Sequence, residues 1–266
     1  DYSSALNESF QNHFQGVNGQ LSQTLNIKNY KQDANFYPLA FVNNEILGDK
    51  PEEIGSVVLL TTAQESAQIV ANLKRSGIDA PIIGGTPLFE KAFRDKIQGY
   101  PEAKTQPGYF SDGIYATSPL IYDVSGEQTQ AFKERFRDRY EKEPSWVGAM
   151  SYESAKIAVA ALKRANLPEN QPEQSKTQNI RNRREAVRQS LSNMRSVNQG
   201  VAGLDGTLYF NSDRNTPRAI AMGVYEKQKF ISAPIQVQPI FDIEAVEGLE
   251  EKRKQGNILR FGGRYY

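Results

Sequence analysis

The sequence predicts an α/β fold, and three observations carry the prediction. Ser56–Phe89 reads SVVLLTTAQESAQIVANLKRSGIDAPIIGGTPLF: a short apolar run, an amphipathic helical stretch and a second short apolar run. That order is a βαβ unit, for which a parallel sheet and a right-handed crossover are expected. Two long helical patterns follow, over Gln128–Lys142 and Trp146–Ala165. Short alternating runs then flank Asp205-Gly206 and Lys227-Gln228-Lys229, which is a hairpin signal.

Each element has its own local cause. Ser3–Phe14 spaces its apolar residues as a helix, with Ser3 or Ser4 as N-cap and Glu8 in the first turns. Leu21–Ile27 is expected to form a short strand. Val57–Leu60 is compact and β-branched at its start, as a buried strand is. Thr62-Ala63-Gln64-Glu65 fits the capping box T-x-x-E, in which hydroxyl and carboxylate satisfy free N–H groups at a helix start. Ala67, Ile69, Val70 and Leu73 then recur at helical spacing, and Gly77 ends the helix. Pro81–Ile83 is a second strand, and Gly113–Thr117 a third, ended by Pro119.

Gln128–Lys142 is a charged amphipathic helix carrying Phe132, Phe136 and Tyr140, whereas Trp146–Ala165 is more apolar and rich in alanine. Asn166–Gln178, polar and interrupted by Pro168 and Pro172, reads as a loop. Ile180–Met194 is a basic helix. Leu204–Phe210 combines a D-G turn with an alternating strand, and Ala219–Tyr225 and Phe230–Ile235 are late strands.

Composition narrows the function. At 266 residues the chain holds one large domain or two modest ones, long enough to bury a sizeable core. Basic and acidic residues number 32 and 31, so no global field favours nucleic acid or an anionic membrane. No apolar run approaches the roughly 18–20 residues that span a bilayer. The opening DYSSALNESF lacks the basic and apolar regions of a signal peptide, so either the mature chain begins here or something upstream has been removed. Cysteine is absent, which excludes disulfides, thiolate nucleophiles, iron–sulfur clusters and cysteine-based zinc sites. The single histidine, His13, lies in a helical pattern with Phe10, Phe14 and Val17 and reads as structural; one histidine builds no multi-histidine metal site. Neither a metal nor a cofactor is expected.

In open parallel sheets, ligands bind outside the carboxyl ends of the strands. Thr61, Thr62 and Gly84-Gly85-Thr86 occupy such ends. Glycines let a backbone approach a ligand, and threonine hydroxyls both donate and accept hydrogen bonds. Thr62 equally reads as a helix cap alone, and the paired glycines as a turn alone. They form no phosphate loop, because neither G-x-x-x-x-G-K-[ST] nor G-x-G-x-x-G is present. No nucleophile elbow G-x-S-x-G accompanies His13, and the carboxylates cluster in solvated runs such as Glu134–Glu143. The chain is therefore read as a non-enzyme. Arg181-Asn182-Arg183-Arg184 reads as a solvated face, with no nucleic-acid partner expected.

Taken in order, "TTAQESAQIVANLKRSGIDAPIIGGTPLF", "DGIYATSPL", "TQAFKERFRDRYEKEPSWVGAMSYESAKIAVAALKRA" and "GVAGLDGTLYFNSDRNTPRAIAMGVYEKQKF" resemble the latter half of type I periplasmic binding proteins. The likeness is to the branched-chain amino acid receptor, or extracellular ligand-binding receptor, branch, and it runs roughly from Tyr2 to Ile240. The resemblance implies two α/β lobes joined by three hinge crossings, with a small ligand trapped between them. It implies that residues 1–118 belong to the ligand-binding second lobe, incomplete at its start, and residues 119–200 to the first lobe. Residues 201–240 return to the second lobe, and 241–266 form a C-terminal extension. The first lobe's N-terminal sheet would lie outside this chain, leaving apolar faces with Phe132, Phe136, Trp146 and Ile157 exposed. A missing first-lobe segment, from the same gene or a second chain, is then an expected partner.

By position, the resemblance carries ligand contact onto Thr61, Thr62, Gly85 and Thr86, and onto Tyr115 near a hinge. Thr86 stands where amino-acid-binding members often place an acid for the ligand ammonium; a neutral hydroxyl recognises a cation more weakly. The implied function is a periplasmic or extracellular solute receptor that presents a small polar ligand, an amino acid or related compound, to an ABC permease. The alternative is a sensing ectodomain whose closure drives a downstream signalling module.

Overall fold

The computed structural model describes residues 2–16, 18–27, 54–218, 220–234, 236, 260–261 and 264–265. In chain order the elements are α1 (Tyr2–Gly16), β1 (Val57–Leu59), α2 (Ala63–Arg75), β2 (Ile82–Gly84), α3 (Lys91–Gln98), α4 (Pro101–Thr105) and β3 (Tyr115–Ser118). After these come α5 (Glu127–Tyr140), α6 (Trp146–Arg164), α7 (Lys176–Ser192), β4 (Val201–Ala202), β5 (Thr207–Leu208), β6 (Ala221–Glu226) and β7 (Lys229–Ser232). Arg260–Phe261 and Arg264–Tyr265 form a last short antiparallel pair, β8 and β9. The rest of the expected extension 241–266 lies outside the described residues, as does residue 17. The chain divides into two compact units: Asp1–Ser118 with Ala221–Gln236, and Pro119–Ile220 with Val237–Tyr266.

The first unit is built on a five-stranded sheet in the order β1-β2-β3-β6-β7. The β1, β2 and β3 strands run parallel, with Leu59 beside Gly84 and Gly84 beside Ala116. The sheet is mixed, because β6 pairs antiparallel with β3 (Ala116 beside Gly223, Ser118 beside Ala221) and β7 antiparallel with β6. Burial alternates along the strands as the pleat requires. Leu59, Ile82, Ala116 and Tyr225 join Ala67, Val70 and Leu73 of α2 and Phe93 and Ile97 of α3 in one apolar core. The Tyr225 ring is buried and its hydroxyl donates to the Leu88 carbonyl at 2.8 Å; burial pushes its pKa well above the ordinary phenol value.

Local chemistry fixes the ends. The α2 helix closes with a left-handed Gly77 (φ +75°), while the Ile78 and Gly77 amides donate to the Leu73 and Lys74 carbonyls at 3.1 Å. These two bonds are the Schellman pair. The β6–β7 turn places Lys227 and Gln228 at φ +50° and +63°, and the Asp112 carboxylate accepts both of their N–H groups at 2.9 Å.

Three expectations need correction in this unit. Ser3 and Ser4 lie inside α1, which starts at Tyr2. Residues 21–26 form no strand; Leu25, in irregular chain, and Ile27, in helical conformation, pack against the core. The α3 and α4 helices were not anticipated, although Phe93 and Ile97 stand one turn apart and are both buried.

The second unit is helical, with the β4–β5 hairpin beside it. Phe132, Leu120, Ala149 and Leu204 form a small core, flanked by Tyr122, Phe136, Trp146 and Met150. The expected exposure of the Phe132, Phe136 and Trp146 faces is thus corrected: Phe132 is buried and the others pack around it, with Ile157 half-buried. The exposed large apolar side chains of α6 are Val147, Tyr152, Val159 and Leu162. Burial, reinforced by the Glu143 charge, pushes the Tyr122 phenol up to about 12. Glu153 is buried on α6; its carboxylate accepts the Leu204 N–H at 2.7 Å and pairs with Arg218. The Thr129 hydroxyl donates to the Leu204 carbonyl at 2.9 Å, so both backbone groups of Leu204 are held by helix side chains.

Candidate ligand-binding site

The carboxyl edge of the parallel strands in the first unit gathers neutral hydroxyls. Because Leu59 lies beside Gly84 and Gly84 beside Ala116, the residues that follow them leave the sheet at one level. Those residues are Thr61 and Thr62 after β1, Gly85 and Thr86 after β2, and Thr117 and Ser118 at the end of β3.

Thr61 is half-buried and its Oγ1 lies 2.8 Å from Ser66 Oγ on α2. Thr62 is the exposed N-cap of α2. Its N–H donates to Glu65 Oε2 at 3.0 Å and its Oγ1 accepts the Glu65 N–H at 3.5 Å, which completes the capping box. Capping occupies an acceptor position of this hydroxyl and leaves its proton free to donate. Thr62→Ala is accordingly expected to cost about 1 kcal/mol of stability in the first unit, read as a lower denaturation midpoint.

Gly85 is buried and precedes a short 3-10 turn, Thr86–Phe89, with its carbonyl accepting the Leu88 N–H at 3.1 Å. Its backbone is extended (φ −83°, ψ −171°), so no left-handed turn demands a glycine there. Gly84 is required for space: a Cβ would come within 2.7 Å of the Leu88 side chain and 2.9 Å of the Leu59 carbonyl. The Thr86 hydroxyl is half-buried and makes no hydrogen bond among the described residues.

Tyr115 is placed differently. It is the first residue of β3, beside Ile83 and Val224, and therefore lies toward the amino end of that strand. The structure brings Thr61, Thr62, Gly85 and Thr86 to one edge and sets Tyr115 back from it. Thr117 and Ser118 are the edge residues that sequence reasoning passed over. Their signal was the small polar end of Tyr-Ala-Thr-Ser, masked by the following proline, which was read only as a stop.

What this edge can do chemically is hydrogen-bond a polar group without supplying charge. No group of three or more metal-binding side chains exists among the described residues. No described helix is long and apolar enough to cross a membrane.

The sequence profile of the periplasmic binding protein family matches residues 22–228. No curated protein matches the chain. Among solved structures, it is similar to the branched-chain amino acid transporter substrate-binding protein LivJ of Streptococcus pneumoniae, in complex with isoleucine. The identity there is 21% and the TM-score 0.57, over 78% of this chain and 49% of that one. It is similar to the leucine-binding protein LivK of Thermotoga maritima at 15% identity and a TM-score of 0.63, over 88% and 56% of the two chains. A solute-binding protein of an ABC transporter from R. palustris, in complex with benzoate, aligns at 14% identity and a TM-score of 0.56, over 85% and 52%. At such identities the likeness is one of fold, and the chain spans about half the length of the structures it matches. The chain therefore belongs to the periplasmic binding protein family and has its type I fold.

Proposed function

We propose that this chain is the latter half of an extracytoplasmic solute receptor, periplasmic or extracellular, that closes two lobes on a small polar ligand and presents it to an ABC permease. The family consists of solute-binding receptors, and this chain is read as one that binds its ligand without turning it over. In this reading residues 1–118 and the β6–β7 hairpin supply one lobe, and residues 119–200 contribute to the other. The sheet of that other lobe comes from a segment outside this chain, which spans about half of its structural relatives. The observation that carries the ligand reading is half-buried Thr86 at the carboxyl edge of the parallel strands, its hydroxyl without a partner among the described residues.

Thr86 also bears on ligand class. A hydroxyl gains less from an ammonium than a carboxylate would, so amino acids hold no large advantage here over related carboxylic acids. Isoleucine and benzoate occupy two of the similar structures, and both classes belong in the test. In the receptor completed by its remaining segment, Thr86→Ala is expected to weaken the bound member of a panel of isoleucine, leucine and benzoate about 2- to 12-fold, the net worth of one hydrogen bond. Calorimetric titration reads this directly. An unchanged affinity in Thr86→Ala and Thr86→Val, against measurable binding by the parent, removes Thr86 from the site.

A second reading rests on the C-terminal extension, residues 241–266, which lies past the family match. In a sensing ectodomain the same closure would drive a downstream module attached through that extension.

A further inference from the structure

The chain passes between its two compact units three times, after Ser118, after Ile220 and after Gln236. On the side of the first unit, all three passages converge on two neighbouring residues of β6. Ala221 is the register partner of Ser118, so the first two passages lie side by side at the end of the β3–β6 ladder. Met222 faces the other way. Its carbonyl accepts the Ala233 N–H at 2.9 Å, just beyond the last β7 rung, where Gly223 pairs with Ser232. Gln236 then takes over with its side chain. Gln236 Oε1 accepts the Met222 N–H at 2.8 Å, and Nε2 donates to the Met222 carbonyl at 2.5 Å and to the Ala233 carbonyl at 2.9 Å. The residue is buried, and its amide has a partner for its oxygen and for each nitrogen-bound hydrogen.

The side chain thus meets both backbone groups of Met222, as the backbone of a paired strand residue would. We propose that Gln236 is a positioning residue that ties the third passage to the other two, so that the row Ser118–Ala221–Met222–Gln236 bends as one hinge. The inference rests on the two-lobe receptor reading, since a hinge matters only where the lobes move. Without the clasp, the anchors left to the third passage among the described residues are Ala233 and β7, and its backbone gains freedom that the other two do not share. A hinge confined to a few residues absorbs closure in a small set of backbone angles. One loose strand of three would instead spread the ligand-free receptor over a wider range of lobe orientations.

The test needs no ligand, which separates it from the receptor reading. The chain has no cysteine of its own, so spin labels at Ala92→Cys on α3 and Arg183→Cys on α7, both exposed, report the distance between the units once any cysteine of the remaining segment is replaced by serine. In the labelled full-length receptor, Gln236→Leu is expected to broaden the ligand-free distance distribution about twofold, as a population spread over more orientations does. Gln236→Glu keeps the acceptor for the Met222 N–H but loses both donors, and is expected to fall between the two. A lowered melting temperature with an unchanged distribution in both variants would make Gln236 a merely structural residue and overturn the proposal. If Gln236→Leu does not fold, a Gln236→Glu distribution no broader than that of the parent overturns it equally. Failure of the labelled parent to change distance with any of the panel ligands would count against the receptor reading and leave the width comparison intact.

Discussion

Arg218→Met is expected to destabilise the second unit by about 3–5 kcal/mol, because it leaves a buried carboxylate without its counter-charge. Glu153 is 3% exposed at its side chain and Arg218 19%, so water does little to screen the pair. The carboxylate also holds the Leu204 N–H, and Gly203 has no room for a side chain: a Cβ there would lie 2.8 Å from Glu153 Oε1. The loop over Gly203–Gly206, between β4 and β5, is therefore shaped around this one acid. The double variant Glu153→Gln/Arg218→Met removes the charge, keeps an acceptor for Leu204 and is expected to recover most of the loss. Urea unfolding of the three proteins measures the coupling, and hydrogen exchange at Leu204 locates it. Equal destabilisation in the single and double variants would mean that packing of the arginine stem, and not charge, holds the segment.

This pair also shows where the sequence stops being legible. Glu153 and Arg218 are 65 positions apart. Nothing in Ser-Tyr-Glu-Ser marks this glutamate as the buried acid of an alanine-rich helix. Local signals were read far better. The capping box at Thr62 and the glycine at position 77 each satisfy backbone groups within a few residues, so their chemistry is written in adjacent letters. The Lys227-Gln228 turn was legible for the same reason, although its anchor, Asp112, was not. The Leu21–Ile27 strand failed because apolar residues at strand spacing need a neighbouring strand, which the sequence does not name. Phe132 was expected to lack cover because the first-lobe sheet was expected to lie outside the chain; Leu120 and Leu204, from segments before and after the helices, cover it instead. Thr61, Thr62, Gly85 and Thr86 were read at strand ends from the apolar runs, and the strand register places them there. Tyr115 is the first residue of β3, where the sequence reading had the strand begin at Gly113.

Phe93→Ala is expected to cost about 3–5 kcal/mol in the first unit, the usual penalty for emptying a large buried aromatic site. Phe93 is fully buried, and its ring centroid lies 5.9 Å from that of Tyr225. Tyr225 packs edge-on against Phe230 and donates to the Leu88 carbonyl, so three rings and one hydrogen bond brace the turn Thr86–Phe89 from beneath. Leu88 is itself fully buried, and its side chain fills the space a Cβ on Gly84 would need. A cavity at Phe93 therefore loosens the segment that carries Thr86 as well as the core below it. Two changes are expected together: a lower denaturation midpoint, and a ligand affinity weakened more than Thr86→Ala alone weakens it, since a mobile turn must be ordered again on binding. Phe93→Leu, which refills most of the volume, is expected to restore affinity further than stability, because the turn needs support while the core needs close fit. If Phe93→Ala lowers stability and leaves affinity untouched, the turn is held by its own 3-10 bonds, and the bracing from Tyr225 is a matter of folding alone.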